Sequence, residues 1–406
     1  MVTIAIFVVV VFLYSLVSRR LEHTVITAPI VFTSAGMLLI LAMPGLHDLT
    51  MQRDTFQELA EIGLVMLLFA DAARINLETL QSKERLPLRL LSIGMLLTIL
   101  LGAIAAHLIF PQLSIWEAGI LAAILAPTDA GLGQVIVHSP RVPLRVRQAL
   151  DVEAGLNDGL SVPFLMFFIA VSQLGTEGAH RVLLNYIGEQ LGMGALMGVA
   201  IGLAGGWLLG QSRRKGWMAE SVQQLGLVTL PILSVLACEP VGGSMFIAAY
   251  VAGLAVQVGF RDASELSVEF IEGWGQLFAY FVFFLFGVLV ALGFQRFSLV
   301  HMLYAILSLT VVRMIPVAVA VIGTRLSAAS VLFMGWFGPR GLASIVLGLV
   351  FLEHETHLPG EETIKLVVMA TVMLSIFAHG FSALPGIDMY TRKVATLDAT
   401  SPETRK

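Results

Sequence analysis

Leu125-Ala126-Pro127-Thr128-Asp129-Ala130-Gly131-Leu132-Gly133 sets a proline, two glycines and a carboxylate in the middle of an otherwise apolar run. Proline removes a helical hydrogen bond and its ring clashes with the preceding turn, so a helix entering this stretch is expected to unwind or kink here. Carbonyls freed in this way are tolerated at membrane depth only where they are buried in protein or line a wet cavity, and there they can coordinate a cation. An aspartate in such surroundings is costly because lipid cannot solvate it. Its default reading is an ion or proton site facing the protein interior.

The composition supports a membrane setting for that run. Of 406 residues, 57% are hydrophobic and only 13% charged, about half the charged fraction of an ordinary soluble domain. The net charge of −4 matters less than where the basic residues fall. The single cysteine, Cys238, excludes a disulfide framework and any multi-cysteine metal site. Met1 to Ser18 is apolar like a signal peptide, but no positive region precedes it and Arg19 and Arg20 follow it. It is read as a retained first span with its N-terminus outside.

Cutting the chain at its polar and Pro/Gly-marked breaks gives thirteen candidate spans, at 2–18, 25–43, 56–73, 88–109, 116–138, 149–172, 183–209, 219–238, 241–259, 270–293, 299–323, 328–352 and 364–384. The eighth and ninth form a hairpin broken at Glu239-Pro240 in an alternative reading. The odd-numbered connections and the tail carry 18 Lys and Arg residues against 4 in the even-numbered ones, which places the N-terminus outside and the C-terminus in the cytoplasm. The two basic residues left over from this count, Arg313 and Arg340, lie inside predicted spans. The loops are short and residues 386–406 make a short cytoplasmic tail, so function is expected within the membrane. A primary pump is disfavoured, since no phosphate-cradling Gly-rich loop is found.

Three further spans hold polar groups at depth. The sixth reads Val152-Glu153-Ala154-Gly155-Leu156-Asn157-Asp158-Gly159. Glu153 and Asn157 share a helix face, whereas Asp158 is turned about 100° further round, so one helix can address two neighbours. Asp151 is read as a solvated residue at the cytoplasmic end, with attraction of cations to the entrance as the alternative. The twelfth span, Met334-Gly335-Trp336-Phe337-Gly338-Pro339-Arg340-Gly341-Leu342-Ala343-Ser344, repeats the Gly/Pro break with a charge at its centre. Arg340 needs a carboxylate or carbonyl partner there; Glu153 is expected, with capping of its own broken helix as the alternative. In the third span Asp71 is read either as an interfacial partner of Arg74 or as an additional cation attractor. Arg313 is expected to meet Glu269, Glu272 or backbone carbonyls. His107, His138 and His379 stand singly, without metal-site spacing, and are assigned to packing or interfacial roles. The phenylalanines from Phe278 to Phe286 are read as a lipid-facing or packing surface.

The two interrupted spans, the fifth and twelfth, are seven apart and so cross the membrane in opposite directions. Discontinuous helices in corresponding positions of two inverted halves point to a midplane site in a secondary transporter. The fold class expected is therefore an all-α polytopic membrane protein of about thirteen transmembrane helices, an inverted repeat with two discontinuous helices.

Ala126-Pro127-Thr128-Asp129, Glu153-x-x-x-Asn157-Asp158-Gly159 and Gly338-Pro339-Arg340-Gly341, in that order, resemble the NhaP/NHE-type sodium/proton antiporters of the monovalent cation:proton antiporter superfamily. The resemblance implies an NhaA-like antiporter domain over residues 1–385, with a core bundle around spans 56–73, 116–138, 149–172 and 328–352 plus a dimerisation bundle, and a homodimer. By the same similarity Asp158 is the principal cation and proton carrier, Asp129 and the Thr128 carbonyl complete the site, and Glu153 with Arg340 forms a structural ion pair. Asn157 stands where the electrogenic branch has a second aspartate, which implies electroneutral exchange. Ala154 departs from the serine common in the family, and Ala130 from its proline. The long regulatory tail of animal exchangers is absent, which suggests a prokaryotic member in the cell membrane.

The expected activity is exchange of Na+ or Li+ for H+ by alternating access, with Asp158 as the shared site and Asp129, Thr128, Asn157 and Asp71 as further candidate ligands. Hard oxygen donors suit alkali cations, and neither a cofactor nor a nucleic-acid partner is expected. The alternatives are K+/H+ antiport by the same fold or carriage of an organic solute. An intramembrane aspartyl protease lacks its Gly-x-Gly-Asp signature here.

Overall fold

A computed structural model describes residues 2–21, 24–43, 53–74, 86–174, 187–260, 265–353, 358–397 and 401–403. Long apolar stretches free of strand-like alternation fold as helices, which leave no backbone polar group bare to lipid. In chain order these are α1 (Val2–Leu21), α2 (Ala28–Ala42), α3 (Arg53–Arg74), α4 (Leu86–Ile109), α5 (Ile115–Ile124), α6 (Ala130–Val137), α7 (Leu144–Leu174), α8 (Gly194–Arg214), α9 (Glu220–Cys238), α10 (Met245–Gly259), α11 (Glu265–Gly293), α12 (Leu299–Leu309), α13 (Val311–Ala320), α14 (Ala328–Trp336), α15 (Leu342–Glu353) and α16 (Glu361–Val394). Among the described residues, eight helical segments are long and apolar enough to cross a bilayer, and four shorter apolar helices accompany them.

Both expected interruptions are present. The fifth span is two helices, α5 and α6, separated by residues 125–129, and the twelfth is α14 and α15, separated by residues 337–341. The eighth and ninth are separate helices, α9 and α10, joined through a short 3₁₀ turn at Glu239–Val241. A third interruption was not expected. Thr310, at φ −108° and ψ −93°, divides the eleventh span into α12 and α13, and its hydroxyl donates to the Ile306 carbonyl at 2.6 Å. The last helix, α16, runs ten residues past the expected end of its span, into the stretch read as tail.

The chain divides into two units. The first comprises residues 1–53, 85–157 and 280–406, and so holds both broken spans, the N-terminal half of α7 and the long α16. Within it α16 packs against α6, α12, α14 and α15, and α4 packs against α5. Close helix approach is built in at Gly36 and Gly287, where an added Cβ would overlap the Phe284 and Thr33 carbonyls respectively.

The second unit comprises residues 54–84 and 158–279. Its densest packing is α8 on α10. Glycines 198, 202 and 206 form one stripe down α8, and a Cβ on any of them would collide with the carbonyl of Ala248, Ala252 or Val256. Without a hydrophobic force between helices in lipid, this backbone-to-backbone approach is what gives them van der Waals contact. Here Gln257 donates to the Ala72 carbonyl at 2.9 Å, and Arg74 pairs with Glu272 at 2.5 Å. Glu272 therefore has a partner other than Arg313, its expected one.

Candidate functional site

Each helix end leaves four unsatisfied backbone groups, so the two interrupted spans create four such ends in the interior of the first unit. The N-termini come first. Asp129 is the N-cap of α6, its Oδ1 accepting from the Leu132 N–H at 2.8 Å. Its other oxygen, Oδ2, accepts from the Leu342 N–H at the start of α15. One buried carboxylate thus caps both half-helices, where the macrodipoles favour negative charge. Gly341 makes the approach possible, because a side chain there would occupy the space of the Asp129 carboxylate. The Asp129 N–H also donates to the Pro339 carbonyl at 2.8 Å, joining the two breaks backbone to backbone.

The C-terminal end of α5 takes the opposite charge. Arg340 is fully buried, and its Nη1 donates to the Ala126 carbonyl at 2.6 Å and the Pro127 carbonyl at 2.9 Å. These are carbonyls that a continuous helix would have used. A guanidinium suits a helix C-terminus, and both bonds come from Nη1, while Nε and Nη2 have no hydrogen-bond partner among the described residues.

Glu153 therefore does not take Arg340 as its direct partner, as had been expected. It pairs with Arg313 in a bidentate bridge, Nη1 to Oε1 at 2.5 Å and Nη2 to Oε2 at 2.9 Å. Two features place Arg313 there. The break at Thr310 lies three residues before it and starts α13 at Val311, and Gly338 leaves open the volume that the guanidinium fills, since a Cβ would overlap Arg313 Nε. Glu153 also attracts Arg340 electrostatically. Among the described residues, the first unit thus buries the guanidinium groups of Arg313 and Arg340 and the carboxylates of Glu117, Asp129, Glu153 and Glu403.

Of the remaining candidates, Thr128 and Asn157 come together. The Asn157 amide nitrogen donates to the Thr128 hydroxyl at 2.8 Å. Asn157 Oδ1 is buried with no hydrogen-bond partner among the described residues. An unpaired carbonyl oxygen costs free energy in a dry interior, and it is also the kind of hard neutral donor that suits an alkali cation. Asp158, the next residue of α7, is buried and belongs to the second unit, its carbonyl accepting from the Ser161 hydroxyl at 2.9 Å. Asp71 also lies in the second unit, half-buried on α3.

Composition and spacing did not single out Arg313 as the partner of Glu153. Two in-span arginines compete for one glutamate, and the choice rests on the Gly338 gap. They also missed Ser375 on α16, and read His379 on the same helix as a packing residue. The Arg340 N–H donates to Ser375 Oγ at 2.6 Å, and His379 Nε2 lies 2.9 Å from the Trp336 carbonyl, so the C-terminal end of α14 is met as well.

The family model described as sodium/hydrogen exchanger, transmembrane, matches residues 6–385. The chain is 27% identical over 393 residues to the K(+)/H(+) antiporter NhaP of Alkalimonas amylolytica, covering 93% of this chain and 65% of that protein. It is 24% identical over 362 residues to a Na(+)/H(+) antiporter of Schizosaccharomyces pombe, covering 80% of this chain and 76% of that protein. The chain thus spans just under two thirds of the first of these relatives. In fold it is similar to the sodium proton antiporter MjNhaP1 of Methanocaldococcus jannaschii at pH 8, with a TM-score of 0.71 and 20% identity over 94% of this chain and 99% of that one. With the match extending over nearly its whole length, the chain belongs to the transmembrane sodium/hydrogen exchanger family.

Proposed function

We propose that the protein is a secondary transporter, not an enzyme, that exchanges Na+ or Li+ for H+ across the cell membrane by alternating access, with Asp158 as the residue both ions share. The observation that carries this reading is the buried Asn157 Oδ1, a hard neutral oxygen with no hydrogen-bond partner among the described residues, immediately before the buried carboxylate Asp158 on α7.

A buried carboxylate is stable only with its charge compensated. A proton and a dehydrated alkali cation both do this, and they exclude one another. Only the loaded site crosses between inward- and outward-open states, which couples the two fluxes. Asn157 Oδ1, adjacent on the same helix, supplies a neutral donor. Because Asn157 is uncharged, each cycle carries one cation against one proton, and exchange is electroneutral. Asp129, first read as a ligand, acts instead as the shared cap that keeps the crossing intact, and the Thr128 hydroxyl orients Asn157. Asp71 attracts cations. Thirteen spans in an inverted repeat, an external N-terminus, a cytoplasmic C-terminus and a homodimer complete the proposal.

The test is proton release from proteoliposomes on addition of Na+, Li+ or K+. Release by Na+ and Li+, unaffected by an imposed membrane potential, is expected. Release by K+ alone makes this chain a K+/H+ antiporter, as the Alkalimonas relative is named. Release by no alkali cation favours an organic solute.

A further inference from the structure

The break between α14 and α15 is held from one side by a single pair of residues on α16 that the transport reading has not used. The last carbonyl of α14, Trp336 O, and the first N–H after Pro339, that of Arg340, lie on either side of the interruption; Trp336 O accepts from the Gly338 N–H of the break at 2.9 Å, and neither group bonds within a helix. Ser375 and His379, one helical turn apart and both buried, meet them. Ser375 Oγ accepts from the Arg340 N–H at 2.6 Å. His379 Nε2 lies 2.9 Å from Trp336 O, and Nδ1 lies 3.2 Å from Ser375 Oγ and 2.9 Å from the Ser375 carbonyl.

In the neutral ring one nitrogen donates and the other accepts. Two carbonyls, Trp336 O at Nε2 and Ser375 O at Nδ1, can only accept, so the neutral ring donates to one of them, and it is the Nε2–H tautomer that holds Trp336 O. Ser375 Oγ accepts from the Arg340 N–H in either tautomer. The indole of Trp336 lies against the imidazole, with centroids 5.0 Å apart, and is itself fixed by donation to Ser382 Oγ at 2.9 Å.

We propose that His379, with Ser375, is a positioning residue for cation binding: it fixes the backbone of the α14–α15 break, and with it the seat of the Arg340 guanidinium on the Ala126 and Pro127 carbonyls. Those two carbonyls precede Thr128, whose hydroxyl orients Asn157. Loosening the clamp lets the guanidinium leave the carbonyls and disturbs the Thr128–Asn157 contact, while the helices that move in the transport cycle stay folded. The consequence is weaker cation binding at an unchanged turnover. This inference rests on the proposed antiport.

The experiment compares His379→Gln, His379→Leu and Ser375→Ala with the unaltered protein in two ways. The first is hydrogen exchange of the Trp336–Leu342 segment by mass spectrometry, which reads the clamp without transport. The second is the KM for Na+ and the maximal rate of cation-driven proton release. Ser375→Ala and His379→Leu should speed exchange in this segment. They should also raise KM about five- to tenfold, the effect of losing one or two buried hydrogen bonds, with the maximal rate within about twofold. Glutamine, whose amide nitrogen reaches where Nε2 lies, should restore both readouts most of the way. Unchanged exchange in Ser375→Ala and His379→Leu overturns the clamp, and so does a fall in rate at constant KM. Should His379→Leu fail to fold, Ser375→Ala, which removes one atom, decides. If the unaltered protein releases no protons with any cation, the antiport reading fails, and the exchange data still decide whether the clamp exists.

Discussion

Replacing Glu153 by Gln, or Arg313 by Met, leaves the other member of the pair buried and uncompensated. The side chains are 4% and 3% exposed and joined by two charge-assisted bonds of 2.5 and 2.9 Å, so solvent screens almost none of the interaction. Removing one partner of a buried pair costs about 3–5 kcal/mol, whereas replacing both by apolar or neutral groups of similar volume costs much less. The double variant should therefore be more stable than the sum of the singles predicts, by about 1–3 kcal/mol. Equilibrium unfolding of the purified protein in mixed detergent micelles measures this. A second cycle, with Glu153→Gln and Arg340→Met, serves as the control. Arg340 is held mainly by carbonyls, so its coupling to Glu153 should be the smaller. Additivity within about 0.5 kcal/mol in the Glu153–Arg313 cycle, or a larger coupling to Arg340, refutes the assignment of Arg313 as the partner.

Three other perturbations follow from the same geometry. Asp129→Ala removes the acceptor for two helix N-termini and should destabilise the protein by about 1–4 kcal/mol, one cap being worth roughly 0.5–2; Asp129→Asn, which keeps one acceptor oxygen, should lose less, and equal losses would count against the shared cap. Gly341→Ala places a methyl where the Asp129 carboxylate lies and should lower both thermal stability and exchange activity, whereas the same change at Gly133, where a Cβ meets nothing within 4 Å, should be close to neutral. Glu403 accepts from the Ser327 N–H at 2.6 Å and the Ser330 hydroxyl at 2.7 Å at the start of α14. Burial alone would push its carboxyl up, but those hydrogen bonds prevail and hold it below its ordinary value. A depressed carboxylate stabilises above its unfolded-state value and loses that contribution as pH falls through the folded-state one. Protection from hydrogen exchange at Ser327 and Ser330, taken relative to the intrinsic rate at each pH, should therefore fall only in acid below the usual carboxylate range, and Glu403→Gln should remove that pH dependence. Protection lost between pH 6 and 8 would contradict the contact.

Much of this architecture is legible in the sequence because backbone chemistry is local. Pro127 and the Gly338-Pro339 pair cannot continue a helix, and both breaks fall where those residues stand. The break at Thr310 has no such marker: Thr310 is followed by Val311 and Val312, and its dihedral angles reflect the surroundings. Charge partners are less legible still. Arg313 and Arg340 are both stranded in apolar runs, and nothing in their spacing decides which meets Glu153. That choice lies in the side-chain-free gap at Gly338 and in the carbonyls that the other broken span leaves open. Asp129 shows the same limit. Its position in a broken helix marks it as functional, but whether it binds a cation or caps a neighbour depends on where Leu342 lies, more than two hundred residues away. Asn157 is the reverse case, because its spacing from Glu153 put it on an interior face, and there it meets Thr128.

The central claim is that Asp158 carries both ions. Asp158→Asn keeps the size and burial of the side chain and removes its charge. In proteoliposomes, addition of Na+ or Li+ should then release no protons and drive no pH-dependent cation flux at any pH at which the unaltered protein works. Sustained pH-dependent Na+ flux in that variant would contradict the account.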